Sequence, residues 1–115
     1  MKIRMTTAFK KDRKRCQKRH YDINFMDQII ASYAANSGFT DKEAIDYYDH
    51  PLQGNWKGHR EFHPYGHDDD WVVIYHLEGG TVVLDNTGDS STMVLDRTGT
   101  HSDVFTDTEI SSSVR

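Results

Sequence analysis

The apolar residues change their spacing once along this chain, from the period of a helix to that of strands. In the first half they recur every three to four positions, as in Phe25, Met26, Ile29, Ile30 and Tyr33. In the second half they form short runs separated by Gly and Pro, which predict strands at residues 59–63, 71–77, 81–85 and 92–98. This order favours an α+β fold, in which helices pack on one face of a small antiparallel sheet.

The first twenty residues predict a strand followed by a helix. Residues 2–6 alternate polar and apolar side chains, which is typical of a half-buried strand. Residues 7–20 contain neither Gly nor Pro and are rich in Lys, Arg and Gln, so they favour a helix. Phe9 and Cys16 lie seven positions apart on one stripe of that helix, which would therefore rest on the body by a narrow seam.

A second helix follows after a tight turn at residues 20–22, so the two helices should form an antiparallel hairpin. Either Asp22 or Asn24 can cap its N-terminus, and Asn, Ser and Gly at 36–38 end it. Residues 40–43 have the form of a capping box and predict a short third helix to about residue 48.

Two segments of the second half repeat one phrase. Residues 82–88 and 93–99 share the pattern of a valine, leucine and aspartate followed by Thr-Gly, eleven positions apart. Two copies predict a hairpin, since a solenoid needs at least three repeats.

Length and composition restrict the class of protein. The chain has 115 residues, 36% of them hydrophobic, which can bury one modest core, so we predict a single domain over 1–115 with a frayed tail at about 106–115. No apolar run approaches the roughly 18–20 residues of a membrane span. The N-terminus has no apolar secretory signal, and Cys16 alone cannot form an internal disulfide. We therefore expect a cytoplasmic protein that does not enter a membrane.

The basic residues are concentrated at the N-terminus. Residues 1–20 hold nine Lys and Arg and one acid, Asp12, whereas the other 95 residues hold five bases and 17 acids. This asymmetry is consistent with an arm that binds a polyanion and equally with a solvated helix face.

The chain is also rich in histidine, with seven in total. His59, His63 and His67 have the spacing of a metal site on one helix face, but Pro64 and Gly66 oppose a continuous helix there. On a strand, His59, Glu61 and His63 would instead face the same side and form the wall of a solvent-exposed cleft. We therefore expect no metal and no cofactor, and we regard His59, His67 and His76 as bystanders.

Histidine, aspartate and arginine together satisfy the needs of metal-free RNA cleavage. That reaction requires a base for the 2′-hydroxyl, an acid for the departing 5′-oxygen and a cation for the phosphorane. Arg97 ends a predicted strand and His101 follows after a glycine, so both side chains could converge on one phosphate.

Three phrases resemble those of the YafQ branch of the RelE-like toxins, the toxin halves of bacterial type II toxin–antitoxin pairs. They are DHPLQGNWKG at 49–58, DWVVIY at 70–75 and RTGTHSDVF at 97–105. The resemblance implies a microbial-ribonuclease-like α+β fold. It also implies ribosome-dependent cleavage of mRNA in the A site, without a metal, that inhibits translation. It further implies a cognate DinJ- or RelB-like antitoxin that silences the enzyme and can link it to operator DNA.

The resemblance also implies roles for particular residues. The catalytic set would be His50, His63, Asp70, Arg97 and His101. Arg97 would stabilise the phosphorane and His101 would be the general acid, although the acid and base roles could be reversed. Trp71 and Phe105 would stack on a splayed base. Phosphates of the ribosome or mRNA would be bound by Lys10, Lys11, Arg13, Lys14, Arg15, Lys18 and Arg19.

Two departures from the family pattern leave alternatives open. About three extra residues precede Trp71, so His67 could replace His63, and Asp68 or Asp69 could replace Asp70. An insertion of about eleven residues around 79–91 carries Asp85 and Asp89, which we place away from RNA because of their charge. The alternative function is a catalytically silent toxin fold that acts only as an antitoxin-bound nucleic-acid-binding regulator.

Overall fold

The computed structural model describes residues 1–79 and 91–105 of the chain. They form five strands, four α-helices and a short 3₁₀ turn at Gly54–Trp56. The strands are β1 Lys2–Met5, β2 His50–Pro51, β3 Arg60–Phe62, β4 Trp71–Glu78 and β5 Thr92–Thr100. The helices are α1 Thr7–Lys18, α2 Ile23–Asn36, α3 Asp41–Asp46 and α4 His101–Val104.

All five strands belong to one sheet with the order β1-β5-β4-β3-β2. Neighbouring strands are antiparallel except at the edge, where β1 runs parallel to β5. The α+β class is confirmed, but the predicted antiparallel sheet is mixed because the chain crosses from β1 to the far side of the sheet through three helices. The predicted strand at 81–85, the first copy of the repeat and the tail at 106–115 lie outside the described residues.

The hairpin of α1 and α2 follows the capping rules. Thr6 accepts a hydrogen bond from the backbone amide of Phe9 at the start of α1. Asp22, not Asn24, caps α2 by accepting from the amide of Phe25. The predicted capping box of Thr40 and Glu43 starts α3. Each cap satisfies an amide that the first turn of a helix leaves unpaired.

Both faces of the sheet are covered. On one face, α1 and α2 bury a core that includes Phe9, Met26 and Tyr33 against Tyr75 and Leu95. On the other, a smaller core contains Leu52, Val72, Ile74, Val104 and Phe105. The first five residues of β4 are therefore all buried, which explains their unbroken apolar run. The candidate site lies on the face away from α1 and α2, beside the smaller core.

Beyond the end of β1, polar side chains of α1 form hydrogen bonds with the edge of β5. The last register pair is Met5 with Leu95, and the next residue, Asp96, is the extra residue of a bulge opposite Ile74 and Tyr75. Beyond it, the backbone amide of Thr98 donates to Asp12, and Arg15 donates to the Thr98 carbonyl. Asp12 is consequently buried, although it belongs to the most basic helix of the chain.

Two short elements were not predicted. Residues 50–51 pair with β3, although the Pro and Gly residues of the surrounding stretch 49–55 are typical of a loop. Residues 101–104 turn into α4 directly after β5, with a capping box of Thr100 and Asp103. Both carry histidines of the candidate site. None of the helices in the described ranges combines the length and apolar character that crossing a bilayer requires.

Candidate active site

Glu61 lies at the centre of the site, on the middle residue of β3. It faces away from α1 and α2, opposite His50 on β2 and Ile74 on β4, and its side chain is fully buried. Its Oε2 atom is 2.7 Å from His50 Nε2 and 3.1 Å from His63 Nε2. His101 Nε2 lies 3.2 Å from Oε1 and 3.3 Å from Oε2. One carboxylate thus orients three imidazoles.

The second nitrogen of each imidazole also faces an acceptor. His50 Nδ1 is 3.1 Å from the Pro51 carbonyl oxygen, and His63 Nδ1 is 2.9 Å from that of Asp69. A carbonyl can only accept, so in both rings Nδ1 carries a hydrogen and Nε2 faces Glu61. The backbone therefore fixes the orientation of both rings and the position of the Nδ1 hydrogen.

His101 is held between two carboxylates. It is the first residue of α4, and its Nδ1 atom is 2.7 Å from Oδ1 of Asp70, while Nε2 faces Glu61. The ring is buried, whereas the side chain of Asp70 is half exposed. Two acceptors on one imidazole favour its protonated form, which is the form of a general acid.

The charges in this cluster shift its pKa values in opposite directions. Burial by itself would raise the pKa of Glu61, but hydrogen bonds from His101, His50 and His63 outweigh it and hold that pKa well below its usual range. Burial opposes the charged form of His50, yet its bonds to Glu61 and to the Pro51 carbonyl raise its pKa. Glu61 therefore remains ionised near neutral pH and stabilises an imidazolium beside it.

The extra residues before Trp71 had left open which histidine and which aspartate belong to the site, and the structure shows where each of them lies. His63 reaches Glu61 and Asp70 reaches His101, whereas His67 is exposed and paired with Asp68. Asp69 accepts from the backbone amide of Trp71 and so shapes the loop. A cleft of about 470 Å³ opens from the cluster, lined by Tyr48, His63, His67, Asp68, Asp69, Asp70 and His101.

Arg97 faces the same side of the sheet as Glu61. The register runs from Glu61 through Ile74 to Arg97, which places the two Cα atoms about 10 Å apart across two strand spacings. Arg97 Nε donates to Asp12 Oδ2 at 2.6 Å, and Nη2 donates to Asp12 Oδ1 at 3.3 Å. The guanidinium is therefore anchored by Asp12, which sequence reasoning did not identify as a site residue.

The two aromatic residues expected to stack on RNA are packed instead. Trp71 is 3% exposed in the core under the helices, and its indole N–H donates to Thr98 Oγ1 at 2.9 Å. Phe105 is also 3% exposed and stacks on His101, with ring centroids 5.8 Å apart. Apolar packing thus covers both ring surfaces in this conformation, and stacking of Trp71 and Phe105 on a base stays a prediction. The aromatic ring that lines the cleft is Tyr48.

The basic helix divides into two groups. Its arginines pair within the chain: Arg13 with Asp27, Arg15 with Asp12 and Arg19 with Asp103. These three have structural roles that the sequence had not indicated. The four lysines, Lys10, Lys11, Lys14 and Lys18, are exposed. They are the part of this helix that presents its charge to the solvent.

Glu61 was the central residue that the sequence failed to single out. Its alternation with His59 and His63 had suggested an exposed cleft wall, but Glu61 is fully buried and His63 is 3% exposed. His59 belongs elsewhere, near Asp96 and His76. The available signal was an acid between two histidines at alternate positions of the predicted strand 59–63.

Two groups of side chains in the described residues have the composition and spacing that a metal requires. They are His50 with Glu61 and His63, and His59 with His76 and Asp96, each with its ligand atoms within 4.8 Å. In the first group both nitrogens of both rings are already hydrogen-bonded, and Glu61 is fully buried. We therefore interpret it as a proton-sharing network.

Comparison with known proteins identifies the family. The family model for YafQ, a bacterial toxin of type II toxin–antitoxin systems, matches residues 1–106. The chain belongs to the YafQ family. The resemblance inferred from the three phrases is thereby confirmed.

The similarity to individual YafQ proteins covers most of the chain. It is 36% identical over 86 residues to the mRNA interferase toxin YafQ of Escherichia coli K12, which covers 75% of this chain and 87% of the relative. The structure of YafQ from E. coli BL21(DE3) is similar with a TM-score of 0.66 and 32% identity, covering 90% and 97% of the two chains. The E. coli DinJ–YafQ complex contains a chain with a TM-score of 0.65 and 33% identity, with the same coverage.

Proposed function

We propose that this YafQ-family chain is a ribosome-dependent mRNA interferase that cleaves mRNA in the A site by acid–base catalysis without a metal. The observation that carries the proposal is the network in which Asp70, His101 and Glu61 follow one another within hydrogen-bond distance. The E. coli relative is named an mRNA interferase toxin, which supports the same reaction class.

In the proposed reaction the 2′-oxygen attacks the adjacent phosphorus and the 5′-oxygen leaves. A base removes the proton of the 2′-hydroxyl, and an acid gives a proton to the departing 5′-oxygen. The products would be a 2′,3′-cyclic phosphate and a free 5′-hydroxyl. This balance needs two groups that titrate near neutrality and one cation, and no redox partner.

His101 is the proposed general acid because two carboxylates face its nitrogens. Asp70 at 2.7 Å from Nδ1 fixes the ring, and Glu61 favours the imidazolium at Nε2. His50 is the proposed base, since its side chain is 14% exposed whereas that of His63 is 4% exposed. His63 and Asp70 are positioning residues in this account.

Arg97 is the proposed stabiliser of the phosphorane. A guanidinium offers several donors in a fixed plane, which suits the equatorial oxygens of a phosphoryl group. Because Asp12 already holds the guanidinium, the side chain of Arg97 loses less conformational entropy when it binds a phosphate. Tyr48 lines the cleft and replaces Trp71 and Phe105 as the ring placed to contact a base.

The lysines of α1 support binding to RNA on the ribosome. Four exposed lysines on one helix neutralise phosphates without reading sequence, so affinity should fall steeply with salt. The same surface suits an acidic antitoxin segment, and the E. coli relative has been solved in complex with DinJ. We propose a DinJ- or RelB-like antitoxin as partner, through which the complex could contact operator DNA.

The test maps the 5′ ends of a defined mRNA on programmed ribosomes after addition of the purified chain. The reactions are run with and without ribosomes and with untreated or EDTA-treated protein. The His101→Ala variant is tested alongside the wild type. Codon-phased cuts that need the ribosome, survive chelation and vanish in the variant are expected. Ribosome binding without cuts by the wild type would favour the silent-regulator alternative, and cuts abolished by chelation would contradict the metal-free mechanism.

A further inference from the structure

The second histidine group lies at the opposite end of β3 from the catalytic cluster. His59 precedes β3, His76 is on β4, and Asp96 is the bulged residue of β5. The bulge points Asp96 towards the histidines, since an extra residue changes the direction of a strand locally. Three separate segments therefore converge at this point on the sheet face that carries the smaller core.

The distances match those of a metal with short ligand bonds. Asp96 Oδ2 is 2.7 Å from His76 Nδ1 and 3.7 Å from His59 Nε2. With ligand bonds of about 2.0–2.1 Å, two ligands of a tetrahedral zinc are about 3.3 Å apart. The observed separations lie on either side of that value, so small side-chain movements suffice.

The contacts of His59 within the described residues do not satisfy both nitrogens of its ring. Its Nδ1 atom is buried without a hydrogen-bond partner among residues 1–79 and 91–105, and its Nε2 atom is too far from Asp96 for a hydrogen bond. Trp56 packs edge-on against the ring at 5.0 Å and holds it in place. An ion between Nε2 of His59 and Oδ2 of Asp96 would link two atoms that are too far apart to bond each other directly.

His76 has the second carboxylate that metal-binding histidines typically have. Its Nε2 atom is 3.2 Å from Oε2 of Glu78, which in turn is bonded to Arg4. Such an outer carboxylate orients the ring and leaves the other nitrogen for the metal. The three side chains are 13–27% exposed, which leaves room for a water as the fourth ligand.

We propose that His59, His76 and Asp96 bind one divalent transition-metal ion, with Zn²⁺ as the best match to two imidazoles and a carboxylate. The ion would have a structural role. It would link the segment before β3, which carries Trp56, to the β4–β5 pair. Trp56 contacts Phe105, which stacks on His101, so the site supports the packing beneath the catalytic cluster.

The test is titration of the metal-stripped, tag-free full-length chain with ZnCl₂ in an isothermal calorimeter. The wild type should bind one equivalent, and Zn²⁺ should raise its melting temperature. His59→Gln is the most informative variant because neither ring nitrogen of His59 is within hydrogen-bond distance of Asp96 or another described residue, so its fold should persist. We expect His59→Gln and Asp96→Asn to weaken binding at least 30-fold and to lose the thermal shift.

Two controls separate this site from the catalytic cluster. His67→Gln removes an exposed histidine, and His50→Gln removes a member of the Glu61 network. Both should bind Zn²⁺ like the wild type. Absence of stoichiometric binding by the wild type would overturn the proposal, and so would binding that survives His59→Gln and disappears in His50→Gln.

Discussion

Replacing Glu61 by Gln tests whether one buried charge organises the three imidazoles. The change keeps the shape of the side chain but removes the charge that His50, His63 and His101 face. Hydrogen bonds to a charged group contribute about 1.5–3 kcal/mol each, and such bonds to one shared carboxylate are not additive. The amide can still accept one of them, so we expect a loss of about 3 kcal/mol near pH 6.

The loss should depend on pH because the pKa of His50 is raised in the folded protein. Its bond to Glu61 stabilises the fold fully below the unfolded pKa of about 6.5, and this contribution disappears as the pH rises through the higher folded value. The difference between wild type and Glu61→Gln should therefore be largest near pH 6 and fall to about 1 kcal/mol by pH 9.

Urea unfolding followed by tryptophan fluorescence at pH 6, 7.5 and 9 measures this difference. A loss of about 3 kcal/mol corresponds to a melting temperature lower by roughly 12–18 °C in a domain of this size. Asp68→Asn is the matched control, since Asp68 is a fully exposed acid of the same cleft and should change stability by less than about 0.5 kcal/mol. A Gln variant as stable as the wild type, or a deficit that is equal at pH 6 and pH 9, would refute the reasoning.

Three further predictions follow from the surroundings of the site. Asp12→Asn removes the charge that holds Arg97, so it should lower the rate of single-turnover cleavage at least tenfold and the free energy of unfolding by about 1–3 kcal/mol. A variant with a normal cleavage rate would show that Asp12 does not position Arg97. Lys14→Glu with Lys18→Glu should weaken ribosome binding and flatten its salt dependence, and an unchanged slope in filter binding would exclude the docking role. Trp71→Phe should lower the free energy of unfolding in urea by about 1–2 kcal/mol and leave the affinity for RNA unchanged. Weaker RNA binding at unchanged stability would contradict the structural role of Trp71.

Most of the helical half could be predicted from the sequence because its signals are local. The caps at Asp22 and Thr40 and the apolar period of α2 depend on neighbours within a few residues. The parallel pairing of β1 with β5 could not be predicted, since it joins residues about 90 positions apart and depends on how the helices cross the sheet.

The site was predicted in its residue types but not in its organisation. His50, His63, Asp70 and His101 lie together as the family resemblance implied. The burial of Glu61 depends on the pairing of β2 with β3, a two-residue strand that propensity does not indicate. The burial of Trp71 could not be predicted, because an aromatic residue in a motif has the same appearance whether it contacts RNA or fills a core.

The most direct test of the central claim, that His101 protonates the leaving group, uses an mRNA whose scissile 5′-bridging oxygen is replaced by sulfur. A thiolate leaves without protonation, so it does not need a general acid. On ribosome-bound mRNA, His101→Ala should lower single-turnover cleavage of the oxygen substrate by about 10²–10⁴-fold and cleavage of the sulfur substrate less than tenfold. Equal losses on both substrates would show that His101 is not the acid and would contradict this account.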